Sequence, residues 1–163
     1  MTQPDMVAEA AAVDTPPAIW NPNAAANWCL LFSPAFGAYL NMLNWRALGE
    51  PERAASSRAW FYTSLGFLAF YTLLALVVGN TVSDGISRLV SLVFLLSWYF
   101  ASGRPQAKYV KERFGKDYVR KPWGKPLAYA LGGFLAFILA SFVVGVVSGL
   151  VSIATTPSSA GQF

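Results

Sequence analysis

Four apolar stretches separated by polar turns organise the chain. They are Trp28 to Asn44 (WCLLFSPAFGAYLNMLN), Trp60 to Val78, Ile86 to Ala101 and Leu127 to Ala154. Crossing the hydrocarbon of a bilayer takes about 20 helical residues. The last three runs predict membrane helices, the second and fourth by their own length and the third with the turn that follows it. Pro51 to about Gly79 reads as one continuous helix whose first turns (Glu52, Arg53, Arg58) are wet and whose remainder carries no charge. Asn80 to Gly85 is a tight polar turn. Arg88 lies close enough to the end of the third run to reach headgroups. The last run is the longest and can cross once with tilt.

The first run is harder to read. It is slightly short, and Ser33–Pro34, Gly37, Asn41 and Asn44 interrupt it. It predicts either a kinked membrane helix, with Pro34 tolerated among neighbouring helices, or a re-entrant hairpin turning at Ser33–Pro34. Leu48–Gly49 followed by Pro51 marks a helix end and a new start. The fold expected is all-α, a polytopic transmembrane bundle of four segments (28–48, 59–79, 86–102 and 127–154) with the first kinked or re-entrant. Residues 1–27 form a tail too poor in large apolar residues to fold alone, with a short helix over Val7 to Val13. Residues 155–163 form a second polar tail.

Charge changes the picture from composition to topology. Of the 12 Lys and Arg residues, eight lie in 103–126. Three lie in 45–59, one at Arg88, and none in either tail. With four spans these loops alternate, which places both basic loops in the cytoplasm and both termini outside. Trp45, Trp60, Trp98 and Trp123 fall at the cytoplasmic ends of the apolar runs, where an indole can keep its N–H wet. A faint echo supports the crossing of the first segment. GFLAF occurs at Gly66–Phe70 and Gly133–Phe137, and the turns Gly49-Glu50-Pro51 and Gly103-Arg104-Pro105 follow Trp45 and Trp98. A parallel repeat of this kind pairs 28–44 with 86–101.

Three features are candidates for function. The first is the basic loop, with Arg104, Lys108, Lys111, Arg113, Lys116, Arg120 and Lys121 facing lipid or a partner. Within it Pro105 and Gly115 bracket a short helix, PQAKYVKERF, with Ala107, Val110 and Phe114 on one side, suited to lie on anionic headgroups. Setting topology is by itself enough to account for its charge. The second is the face of Ser141, Gly145 and Gly149 in the last run, whose small residues admit another helix closely. That helix can belong to the same chain, to a second copy or to a different membrane protein. The third is the polar face of Asn41 and Asn44. A buried amide must find partners in hydrocarbon, so these bind a neighbouring helix or line a polar crevice.

Enzyme chemistry has little to stand on. The chain has no His, and no metal-ligand cluster, phosphate loop or nucleophile elbow, so no catalytic residue, metal or cofactor is expected. Cys29 is the one cysteine, and beside Trp28 it reads as inert. No acidic or basic side chain lies in the middle of a span, against an ion-coupled transporter. The local nature of the +4 charge argues against nucleic acid as a partner.

The run SPAFGAYLNMLNWRALGEPERA, Ser33 to Ala54, resembles a pattern of small uncharacterised bacterial inner-membrane proteins. There a Pro/Gly-broken apolar segment ends in Asn and, after a short gap, Leu-Gly before a basic turn. The resemblance covers about residues 27–60 and implies a bacterial inner-membrane location; it brings no activity or ligand with it. The function expected is non-catalytic: an accessory, scaffold or immunity-type protein acting through helix packing and its basic loop. The alternative is an oligomeric channel or transporter component handling small solutes or lipids.

Overall fold

The computed structural model describes residues 17–78 and 84–155, with the backbone alone at 75–78, 84 and 155. The expected N-terminal helix over Val7 to Val13, most of the 80–85 turn and the C-terminal tail lie outside the described residues. Within them all regular structure is helical, apart from one isolated bridge between Ile19 and Arg120.

Two short helices come first. In α1, Pro22–Leu31, Pro22 opens the first turn and the Asn21 side chain caps the free N–H of Asn23. In α2, Pro34–Ala47, Ser33 caps Phe36 in the same way. Proline suits this position because its missing N–H would have had no helical partner. Between the two helices Ser33 is extended (φ 172°, ψ 162°), which breaks the helical hydrogen-bond ladder.

The break turns the chain back on itself. Trp20, ahead of α1, is hydrogen-bonded to Asn44, near the end of α2. Cys29 sits against Gly37, where an added Cβ would also come within 2.7 Å of the Trp98 ring. Residues 22–47 are therefore a helical hairpin with both ends on the same side. At 1.5 Å per residue its arms of 10 and 14 residues are about 15 and 21 Å long, too short to cross a ~30 Å core. The single kinked helix expected of this segment is not what forms; the chain turns at Ser33–Pro34 into a hairpin.

Gly49, at φ 73°, ends the hairpin, and α3, Pro51–Val78, begins. The next helix, α4, Asp84–Trp98, runs antiparallel to it: Ser57 meets Ser102, and further along Phe67 stacks on Phe94 at 4.2 Å between ring centroids. At the end of α4 the chain does not stop. A single π-helical stretch, Tyr99–Gly103, leads directly into α5, Arg104–Phe114, so the basic loop begins as a continuation of the apolar helix. Gly115, at φ 59°, terminates α5. The last helix, α6, is Gly124–Thr155. Two helical stretches, Gly85–Phe114 and Gly124–Ala154, are long and apolar enough to cross a membrane.

These facts remove the basis of the repeat. Gly49-Glu50-Pro51 is a turn, whereas Gly103-Arg104-Pro105 lies inside unbroken helix. A hairpin at 22–47 has no counterpart at 86–101. The tryptophan belt also needs correcting. Trp45 and Trp98 are buried in two small apolar clusters, with Met42 and Ala54 and with Cys29 and Ala38 respectively. The indole N–H of Trp98 is buried and finds no hydrogen-bond partner among the described residues.

Candidate functional site

Beneath the basic segment lies a chain of buried polar side chains that ties four parts of the molecule together. Asn44 and Gln106 are both 0% exposed. The Asn44 amide accepts from the backbone N–H of Trp20 (3.0 Å) and donates to the Trp20 carbonyl (2.9 Å) and to Gln106 Oε1 (3.1 Å). Gln106 Nε2 in turn donates to the backbone carbonyl of Asn41 (2.9 Å). The Asn41 amide donates to Ser102 Oγ (3.3 Å), and Ser102 lies 3.4 Å from the Ser57 hydroxyl. Hairpin, α3 and the α4–α5 helix are thus joined through buried hydrogen bonds, and the lead-in segment through part-buried ones.

Local sequence explains how the groups converge. Asn41 and Asn44 are three apart on α2, so they share one face. Ser102, Gln106 and Val110 recur every four residues and form the buried stripe of the α4–α5 helix. A second tether lies above. Ile19, also fully buried, takes a hydrogen bond from Lys121 N and gives one to Val119 O, and the Trp20 indole donates to the Pro122 carbonyl. The start of the described chain is thereby fastened to the basic loop.

Over this junction sits a shallow aromatic and charged layer. Arg53 stacks over the rings of Trp45 and Tyr109, 4.9 and 4.8 Å from their centroids. The Tyr109 hydroxyl donates to Glu50 (2.7 Å) and accepts from Arg113 (2.9 Å). Burial, then the Glu50 carboxylate it donates to, push the Tyr109 phenol above its ordinary value of 10.0, with Arg113 acting the other way. An open cleft of about 420 Å³ lies here, floored by Ser57 and Ser102 and flanked by Arg53 and Lys108.

The structure brings Asn41 and Asn44 together with residues the sequence did not single out: Trp20, Ser57, Ser102 and Gln106. Gln106 had one legible signal. It is the sole amide side chain in the basic stretch, and two asparagines in an apolar run require partners. Of the basic residues, Arg104, Lys108, Lys111, Arg113, Lys116 and Arg120 are exposed, and Lys121 is half-buried over the Trp20 ring at 4.6 Å. Lys108 pairs loosely with Glu112 at 3.7 Å. On α5, Val110 is buried while Ala107 and Phe114 are half-buried. Ser141 and Gly145 line a groove of about 370 Å³ with Leu68, Tyr71 and Thr72 of α3. Gly149, like Gly145, has nothing within 4 Å of where a Cβ would stand.

Comparison with protein-family models, with curated proteins and with solved structures finds no match to this chain.

Proposed function

We propose that the chain is a non-catalytic integral protein of the bacterial inner membrane, an anchor or scaffold that holds a basic platform rigidly at the cytoplasmic face. The observation that carries this is the inversion of burial. Asn44 and Gln106 are buried at 0% exposure among small apolar clusters, while the large apolar side chains of α6, Leu139 at 65% and Ile153 at 76% among them, lie outside. Water would drive the opposite arrangement; hydrocarbon does not, because apolar side chains gain nothing by leaving it and unpaired amides cost several kcal/mol there.

In this placement α3, α4 and α6 cross. The hairpin 22–47 enters from the cytoplasmic face and returns to it. The charge count agrees with that revised topology: Arg46, Arg53, Arg58 and the eight residues of 103–126 fall inside, and Arg88 alone falls outside. It also places Pro17 to Trp20 on the cytoplasmic side, opposite to the side a four-span chain would give. The face of Gly145 and Gly149 is the surface through which a membrane partner or a second copy packs, since among the described residues nothing lies within 4 Å of a Cβ added at either glycine.

Extraction tests the reading. After expression in a bacterium, the protein should stay with membranes through alkaline carbonate and urea washes and float with vesicles. Release into the wash would contradict it. A lipid-handling role is the second reading, and one groove favours it.

A further inference from the structure

We infer that the groove between the hairpin and the first turns of α6 is a binding site for one anionic phospholipid. This rests on the membrane placement above. The groove has a volume of about 430 Å³. Its walls are Phe36, Leu40 and Leu43 on α2, Phe61 on α3, and Tyr129 and Ala130 on α6. It extends along α2 from Leu43 to Phe36, seven residues or about 10 Å. Because the base of α2 is tied to the basic loop and its tip points away, the groove descends from the headgroup level into hydrocarbon.

The two ends differ chemically. Apart from Lys125 and the hydroxyls of Tyr39 and Tyr129, the side chains lining the groove are aliphatic or aromatic. At the mouth stand Trp20 and Lys125, and Lys121 lies over the Trp20 ring at 4.6 Å. Among the described residues Lys125 is the one charged side chain lining the groove, and none of those lining it is acidic. A headgroup arriving here meets positive charge without a competing carboxylate, and the chain below it meets an apolar slot of matching direction. Within a bilayer, the molecule that carries an anion at the interface and an apolar tail beneath it is an anionic phospholipid. The cleft floored by Ser57 and Ser102 is a poorer candidate, because Glu112 shares it and Lys108 is already paired.

Native mass spectrometry of the full chain in mild detergent, loaded with an equimolar mixture of phosphatidylglycerol and phosphatidylcholine, tests the assignment. Preferential retention of phosphatidylglycerol is expected. Lys125→Gln should reduce that preference roughly fivefold, the value of one lysine near a headgroup. Ala130→Trp, which fills the slot, should reduce retention of both lipids without touching the charge. Either variant alone suffices if the other does not fold. Equal retention of the two lipids would overturn the inference and leave the groove to a protein helix. So would a phosphatidylglycerol preference that survives Lys125→Gln, since it would belong to the exposed basic loop. Displacement by soluble glycerol phosphate would also overturn it, because the tail would then be dispensable. A protein that fails to float with vesicles would instead contradict the membrane placement itself.

Discussion

The two ends of this molecule are built on different principles. At the basic end, the lead-in segment, the hairpin, the start of α3 and the α4–α5 helix interlock through Asn41, Asn44, Ser57, Ser102 and Gln106, all buried. At the other end α6 runs on with residues 131–140 all exposed and apolar side chains facing outward. Where helices must hold a fixed arrangement the chain uses amide and hydroxyl groups, whose alternative in hydrocarbon is an unpaired dipole. Where α6 runs on alone it uses Leu, Val, Ile and Phe, a helix long and apolar enough to cross a membrane. Specific structure at the basic end therefore rests on its polar network together with the small apolar clusters around Trp45 and Trp98.

Substitutions at the two ends should separate accordingly. Asn44→Ala strands the Trp20 backbone and Gln106 Oε1 together. At about 1–3 kcal/mol for each buried unsatisfied group, it should cost on the order of 3–5 kcal/mol and loosen the hairpin, measured as a lower Tm in detergent. A Tm unchanged from wild type would mean the network is not what fixes this end. Gly37→Ala is the apolar counterpart at the same end. Its Cβ would lie 2.7 Å from the Trp98 ring, an overpacking expected to cost about 1–3 kcal/mol by the same assay.

At the far end the paired change Gly145→Leu and Gly149→Leu meets open space. It should alter the Tm of the isolated chain by no more than about 0.5 kcal/mol in stability terms, while reducing any oligomer seen by light scattering. A large loss of monomer stability would show that this face is packed internally after all. The smallest effect belongs to the Tyr109–Glu50 contact. The phenol is held above its ordinary 10.0 in the folded chain, so the protonated form favours folding and its contribution is complete below that pH. It is lost as pH rises through the folded value. The Tm gap between wild type and Tyr109→Phe should thus be constant up to about pH 10 and close above it, followed by thermal unfolding across an alkaline series.

Much of the helical plan was legible from runs and caps. Proline at helix starts, glycine at helix ends and the three long apolar stretches fall where local physics puts them. The hairpin was not, because Ser33–Pro34 reads the same in a kinked span as in a turn. What decides it is long-range: Trp20 against Asn44, Ile19 against Arg120, and Trp20 against Pro122 across 102 residues. Gly49 and Gly103 likewise sit in matching G-x-P triplets, yet Gly49 takes a positive φ and Gly103 stays helical beneath Trp98 and Tyr99. Gly103 stays helical because the π-helical stretch carries α4 into α5 without a stop. The buried role of Gln106 was hidden by its charged neighbours.

Side-specific labelling tests the central claim most directly. In a Cys29→Ser background, Ala18→Cys and Lys116→Cys would each be probed with an impermeant maleimide in right-side-out spheroplasts and in inverted membrane vesicles. The hairpin account predicts that both positions react in inverted vesicles and both are protected in spheroplasts, since Ile19 and Arg120 are paired on one face. Reaction of the two positions from opposite sides would mean that residues 22–47 cross the membrane, and would contradict the account.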